Sequence, residues 1–494
     1  MSGPAGSSRL ERALRWSALG TVARFALQLG AQVALARVLG PHAYGVYGIG
    51  LAAVTFAGFL AGNAFSWRLI LQPAIDTQEV RLAFTWQSIS GIAAALVLAG
   101  GATALAGFFQ EPALESVLRW MALACALNAV AGTALCIAQR ELRFRALAVT
   151  QSLAYVAGYL IVGLPLALAG WQAQALALAC VVQAAVTLVI LIWIVPHPMR
   201  PLLRHPASTD TARTGRTVFI TNLVNWLLGN LDRLVIARLL GAQATGLYTL
   251  AWNLSQVPVT LMMGSIQPAL LAAGTAIAHD DQALRQRWQL ALSGALVVMP
   301  AVAAVLSLLA PDLVQMLYGS EWSQAGWLLG LMLACLPAWC AWGLSTPLLW
   351  NTGHSRQEAG LQLPLLPLAL LAWWALAPAG LAWAAGVSVL LLHLRAVVTL
   401  AAVRRLLPVP IDTLAGMLAR GLALALACVA AAMLARMGFN DPALRILAGA
   451  AAALACGWGL AAWRPAWLGP QAHELLSGVV PFVRPATPRW SVSP

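Results

Sequence analysis

The chain has 494 residues, 61 % of them hydrophobic and only 9 % charged, with a formal net charge of +13. That balance describes a chain threaded repeatedly through a membrane and excludes an ordinary soluble domain. All 29 basic residues are arginine, so a Walker A nucleotide loop, a Schiff-base lysine and a lysine general base are excluded as well.

The N-terminal segment carries Arg9, Arg12 and Arg15 before an apolar run that contains Arg24. The run is too long for a signal peptide and lacks a small-residue cleavage site, so it is expected to be the first retained span. A span needs about 20 apolar residues. Fourteen are expected: 17–37, 44–66, 82–108, 115–138, 146–169, 172–195, 218–238, 246–275, 288–310, 325–350, 359–377, 380–403, 413–436 and 442–463.

Spans one and two meet in ALARVLGPHAYGVYGIG, residues 34–50, and the chain repeats this stretch 201 positions later as VIARLLGAQATGLYTLA, residues 235–251. Seven of the 17 aligned positions are identical, from Ala36/Ala237 and Arg37/Arg238 through Gly40/Gly241 and Gly45/Gly246 to Tyr47/Tyr248. Gly40 and Gly241 fit a helix end that needs positive φ. The arginine one turn earlier faces the negative end of the helix dipole and can snorkel to the headgroups. Tyr47 and Tyr248 are expected as interfacial aromatics. A repeat of this length in an apolar chain means two related halves, the plan of a secondary transporter.

The arginines orient the spans. With the N-terminus inside, inner segments hold 20, outer segments 5, and four (Arg24, Arg233, Arg395 and Arg420) fall within spans. This positive-inside asymmetry predicts an even number of spans with both termini cytoplasmic. The longest inner connection, Pro196–Thr217, is rich in Pro, Arg and Ser/Thr and reads as the linker between halves. The expected organisation is an N-terminal lobe (1–195), a cytoplasmic linker (196–217), a C-terminal lobe (218–403), and two extra spans with a Pro-rich cytoplasmic tail (404–494). The largest expected outer loop is Pro311–Gln324. The seven cysteines lie in apolar spans and read as packing residues rather than disulfides or metal ligands.

Polar residues within spans are costly and usually face an interior cavity. In span one, Arg24, Gln28 and Gln32 share a face. In span seven, Asn222, Asn225 and Asp232/Arg233 do so, and in span eight, Asn253 and Gln256. Span five offers Gln151, Tyr155 and Tyr159. Such groups can also serve as interhelical hydrogen-bonding glue. Taken together, the stripes favour a water-filled cavity whose arginines suit a phosphate or diphosphate, with Asp232 as the candidate for ion coupling.

The paired A-R-x-L-G-x-x-x-x-G-x-Y motif, QRELRFRAL (Gln139–Leu147) and NLDRLVIARLLG (Asn230–Gly241) resemble Wzx-type polysaccharide transporters over roughly residues 9–405. These belong with the MATE-type multidrug extruders and the lipid II flippases to one superfamily of exporters. The resemblance implies an all-α protein with two six-helix lobes in a V around a central cavity. It implies flipping of an undecaprenyl-diphosphate-linked oligosaccharide across the bacterial inner membrane, coupled to an ion gradient, with no cofactor, no metal and no nucleic acid. Membrane lipids and the polysaccharide polymerase and export machinery are the implied partners. Arg24 and Arg233 fit the family's cavity arginines. Two alternatives remain: a MATE-like drug/cation antiporter, which needs acids in its cavity, and a membrane polymerase or ligase, which needs a large outer loop.

Overall fold

The computed structural model describes residues 4–60, 69, 75–141, 143–203, 208–276, 281–351 and 355–463, with side chains from residue 27 in the first helix and from 223 in the long helix that follows the linker. Among these residues every regular element is helical. Ten helices are long and apolar enough to cross a membrane, and the bent pair Ser320–Leu333 and Leu336–Leu349, angled at 48°, makes an eleventh candidate. Most of the expected spans have a helical counterpart. The segment 61–74, into which span two was expected to run, lies largely outside the described residues.

The chain forms two compact units, Met1–Gly246 and Leu247–Pro494. In the first unit, helix Pro4–Leu60 is interrupted at Gly40, where φ is 71°. Helix Ser208–Ala276 is interrupted in the same way at Gly241, where φ is 83°. Only glycine takes this conformation without a Cβ penalty, so both breaks sit where the repeated motif predicts them. Helices Thr77–Gly100, Ala113–Arg140 and Gln172–Ile194 pack beside Pro4–Leu60, around a core of Val80, Ala83, Ala134, Ile137, Ala138, Leu147 and Leu191. Between Phe144–Tyr155 and Leu164–Leu168 the chain widens into a π-helical stretch, Val156–Gly163. Such stretches often mark functional positions.

The start of the expected linker is fixed rather than free. Arg81 donates to the carbonyls of Arg200 and Pro201 at 3.0 and 3.1 Å. Trp86 donates to the carbonyl of Leu203, and the Leu202 amide donates to the Thr85 hydroxyl at 2.9 Å. His197 sits edge-on to Phe84. Residues 196–203 thus run as an extended strap along Thr77–Gly100. Residues 204–207 lie outside the described set, and helix has resumed by Ser208.

In the second unit, Met299–Tyr318 packs against Ile411–Arg436 and Pro442–Trp463 through Ala301, Leu424, Ala425, Cys428, Ala432 and Ala453. A neighbouring core joins Leu284, Trp288 and Leu292 to Ala341, Leu349 and Val403. The expected outer loop Pro311–Gln324 proves largely helical. Met299–Tyr318 continues through Pro311, and Ser320–Trp322 forms a 3₁₀ turn. Inside a helix bundle a proline is tolerated because neighbouring groups take up the freed carbonyl. All seven cysteines are free, five of them buried, as packing residues are.

Candidate functional site

The polar stripe of span one meets a cluster of tyrosines. The Tyr155 hydroxyl donates to the Gln28 carbonyl at 3.2 Å, and the Gln32 amide donates to the Tyr44 hydroxyl at 2.6 Å. Tyr155 and Tyr159 stack at 4.6 Å, one helical turn apart, and Tyr159 shares a 2.8 Å hydrogen bond with Tyr47. Four of the six tyrosines in the chain therefore gather in this one place. Gln32 is bound as interhelical glue, whereas the half-buried Gln28 amide makes no hydrogen bond among the described residues.

The cluster corrects the reading of the motif tyrosines. Tyr47 is 8 % exposed and Tyr248 fully buried, not interfacial. Past each glycine break the chain turns into the bundle, and each hydroxyl finds an interior partner: Tyr159 for Tyr47 and Ser388, at 2.8 Å, for Tyr248. The motif arginines behave closer to expectation. Arg37 is exposed, and Arg238 lies 5.3 Å over the ring of Phe108.

In span seven, Asp232 is 1 % exposed and accepts the Arg233 backbone amide at 2.8 Å. The half-buried Arg233 guanidinium reaches Asn230 Oδ1 at 3.4 Å. Half-buried Asn225 lies beside Trp226, whose ring is 4.9 Å from that of Phe56. The side chains of Arg24 and Asn222 lie outside the described residues. Asn253 and Gln256, in the second unit, are half-buried, and their amides make no hydrogen bond among the described residues. Gln151 is exposed. Gln28, Gln32, Asn225, Asp232 and Arg233 thus share the first unit, and Asn253 and Gln256 belong to the second.

Two polar clusters escaped sequence reasoning. Glu358 and Gln362 are each 2 % exposed. Gln362 donates to Glu358 at 3.2 Å and accepts from the buried Arg395 guanidinium at 2.7 Å, and Arg395 lies 3.9 Å over Trp342. Nearer the end of the chain, buried Asp312 takes Arg436 at 2.5 Å and Arg445 at 3.3 Å, while Arg436 also donates to the Leu308 carbonyl. Among the described residues no group of three His, Cys, Asp or Glu side chains is placed to hold a metal.

Comparison with known proteins follows the same lines. The chain is 25 % identical over 369 residues to the succinoglycan biosynthesis transport protein ExoT of Rhizobium meliloti (strain 1021), covering 74 % of this chain and 71 % of that one. It is 24 % identical over 318 residues to the lipopolysaccharide biosynthesis protein WzxC of Escherichia coli (strain K12), covering 63 % of each. Its fold matches the lipid II flippase MurJ in an inward closed conformation with a TM-score of 0.65 at 13 % identity, over 88 % of this chain and 96 % of that one. It also matches an inward-facing MATE family multidrug transporter of the MOP superfamily with a TM-score of 0.62 at 15 % identity, over 77 % and 94 %. The resemblance to Wzx-type polysaccharide transporters is borne out. Residues 34–326, more than half of the chain, match the family described as polysaccharide biosynthesis protein, and the chain belongs to that family.

Proposed function

We propose that this multi-pass membrane protein is a flippase carrying an undecaprenyl-diphosphate-linked oligosaccharide across the bacterial inner membrane. The observation that carries the reading is the family match over residues 34–326, which begins at the repeated motif and sits on a fold shared with a lipid II flippase. The relatives named above are a polysaccharide transport protein and a lipopolysaccharide biosynthesis protein. With both termini cytoplasmic, residues 17–195 and 218–403 act as the two repeated lobes of the transporter. Arg24 and Arg233 hold the diphosphate, and Gln28, Asn222, Asn225, Asn253 and Gln256 line the path of the saccharide. With no Walker A lysine, transport draws on an ion gradient, and Asp232 is the coupling group. The polysaccharide polymerase and export machinery receive the product.

A drug/cation antiporter is the second reading, favoured by the MATE fold match and by the buried acids Glu358 and Asp232. Loss of the gene followed by lipid analysis separates the two. Diphosphate-linked oligosaccharide accumulating on the inner leaflet supports the flippase. A normal lipid profile with altered drug sensitivity supports the antiporter.

A further inference from the structure

The second unit holds a run of aromatic rings that the polar stripes do not explain. Trp252 stacks on Tyr248 at 6.3 Å and meets Trp339 edge-on at 6.4 Å, and Trp339 meets Trp342 edge-on at 5.1 Å. An aromatic run inside a helix bundle is ordinarily core, but three observations set this one apart. The three tryptophans are only half-buried. The indole N–H groups of Trp339 and Trp342 are themselves buried and donate to no acceptor among the described residues. A buried indole N–H usually finds a partner, and two fully buried tryptophans of the same unit, Trp288 and Trp373, do so in Ser345 and Ser388. Finally, Trp339 lies one turn beyond the bend between Ser320–Leu333 and Leu336–Leu349, near the middle of the expected span 325–350 and away from any interfacial aromatic belt. Broken helices at that depth are where transporters build binding sites.

We infer that Trp252, Trp339 and Trp342 form a saccharide subsite, an aromatic platform for a pyranose ring. The inference rests on the flippase reading above and deepens it. The C–H face of a pyranose carries partial positive charge and lies against the negative face of an aromatic ring. Its hydroxyls supply the acceptors that the two indole N–H groups lack among the described residues. Gln256, half-buried and one helical turn after Trp252, adds an amide that both donates and accepts. Arg395, itself held by Gln362, covers Trp342 at 3.9 Å and fixes that end of the platform. Such a surface suits a passing ligand, which must bind well enough to enter and weakly enough to leave. Ring faces accept many sugars, and no ion pair has to break for the sugar to move on.

The test uses the full-length protein in lipid nanodiscs and saturation-transfer NMR. The probes are the methyl pyranosides of glucose, galactose and mannose, with mannitol, a polyol without a ring, as control. Transfer to the C–H protons of at least one pyranoside is expected. Trp339→Leu should weaken its binding about 3- to 10-fold, the worth of one aromatic contact. Trp339→Phe, which keeps a ring and drops the N–H, should lose only part of that. Trp193→Leu, at an exposed tryptophan of the first unit, should change nothing. Transfer to no pyranoside, equal transfer to mannitol, or wild-type binding by Trp339→Leu would overturn the subsite. Should Trp339→Leu fail to insert, Trp252→Leu takes its place under the same criterion. Tetraphenylphosphonium binding that needs the tryptophans, with no pyranoside bound, would give the platform to a cation and overturn the assignment as well. Binding needs no export. Tryptophan-dependent pyranoside binding by a protein whose loss leaves lipid-linked oligosaccharide normal would therefore sink the flippase reading and leave the subsite standing.

Discussion

Arg395 lies over Trp342, 3.9 Å from the ring centre, with one guanidinium nitrogen held by Gln362. Both contacts use the planar fork, and Arg395 is only 6 % exposed. Removing one partner from a buried charged network leaves the others uncompensated, typically at about 3–5 kcal/mol. Arg395→Ala is expected to lower the melting temperature in detergent sharply, and Arg395→Lys to recover only part of the loss. A wild-type melting curve for Arg395→Ala would show that the network contributes nothing.

Asp312 clamps the last two described helices. It binds Arg436 at the end of Ile411–Arg436 and Arg445 in the first turn of Pro442–Trp463. Asp312→Asn keeps the shape but removes the charge shared by two arginines. The expected result is a loss of about 1.5–3 kcal/mol of stability, the worth of hydrogen bonds to charged groups, and faster proteolysis at the 437–441 turn. Unchanged proteolysis would mean that the apolar seam with Met299–Tyr318 suffices alone.

Gln28 and Gln32, one helical turn apart, should behave differently. Gln32 spends its amide on Tyr44, whereas Gln28 keeps its own available. Gln32→Leu is expected to cost about 0.6–1 kcal/mol of stability, the usual worth of an interhelical hydrogen bond, with little effect on export. Gln28→Leu is expected to cut export with stability unchanged. Melting curves and export assays on the two variants, side by side, decide it; the reverse pattern would remove Gln28 from the site.

For the headgroup, the double variant Arg24→Ala, Arg233→Ala is expected to insert normally and lose export, because two guanidinium forks suit a diphosphate in charge-assisted hydrogen bonds. The double lysine variant should restore only part of it, since an ammonium keeps the charge and loses the bidentate fork. Full export by the double alanine protein would reject the assignment.

Topology is checked by reporter fusions after Ala207 and after Glu321. An inner signal from the first and an outer signal from the second are expected, and matching signals would contradict the arginine-based orientation.

What the sequence made legible was local. The breaks at Gly40 and Gly241 could be read because positive φ is a property of single residues, and the spans because their apolarity is continuous. Contacts between distant residues left no such trace. Arg395 depends on Gln362, 33 positions earlier, and no helical spacing links them. Asp312 read as a loop residue because Pro311 and Gly319 bracket it, yet the helix runs through to Tyr318. Tyr47 read as interfacial because it follows a turn, although its partner Tyr159 lies 112 residues away. Among the candidate site residues, the stripe of Gln28 and Gln32 was visible from spacing alone. Which of the two stays available depends on Tyr44, placed by the chain's return beyond the Gly40 break.

A Cβ on Gly45 would run into the Ala242 carbonyl and one on Gly246 into the Pro41 carbonyl, and this reciprocity between the two copies of the repeated turn bears on how such a chain could arise. Each copy offers a glycine and takes the other's carbonyl, the self-complementary form of contact that closes a homodimer. Two unlinked copies of one half could meet through the same patch before fusion into a single polypeptide. A contact made by backbone places few demands on side-chain identity. After duplication the two stretches could diverge to seven identities in 17 and still fit each other, provided both glycines stayed.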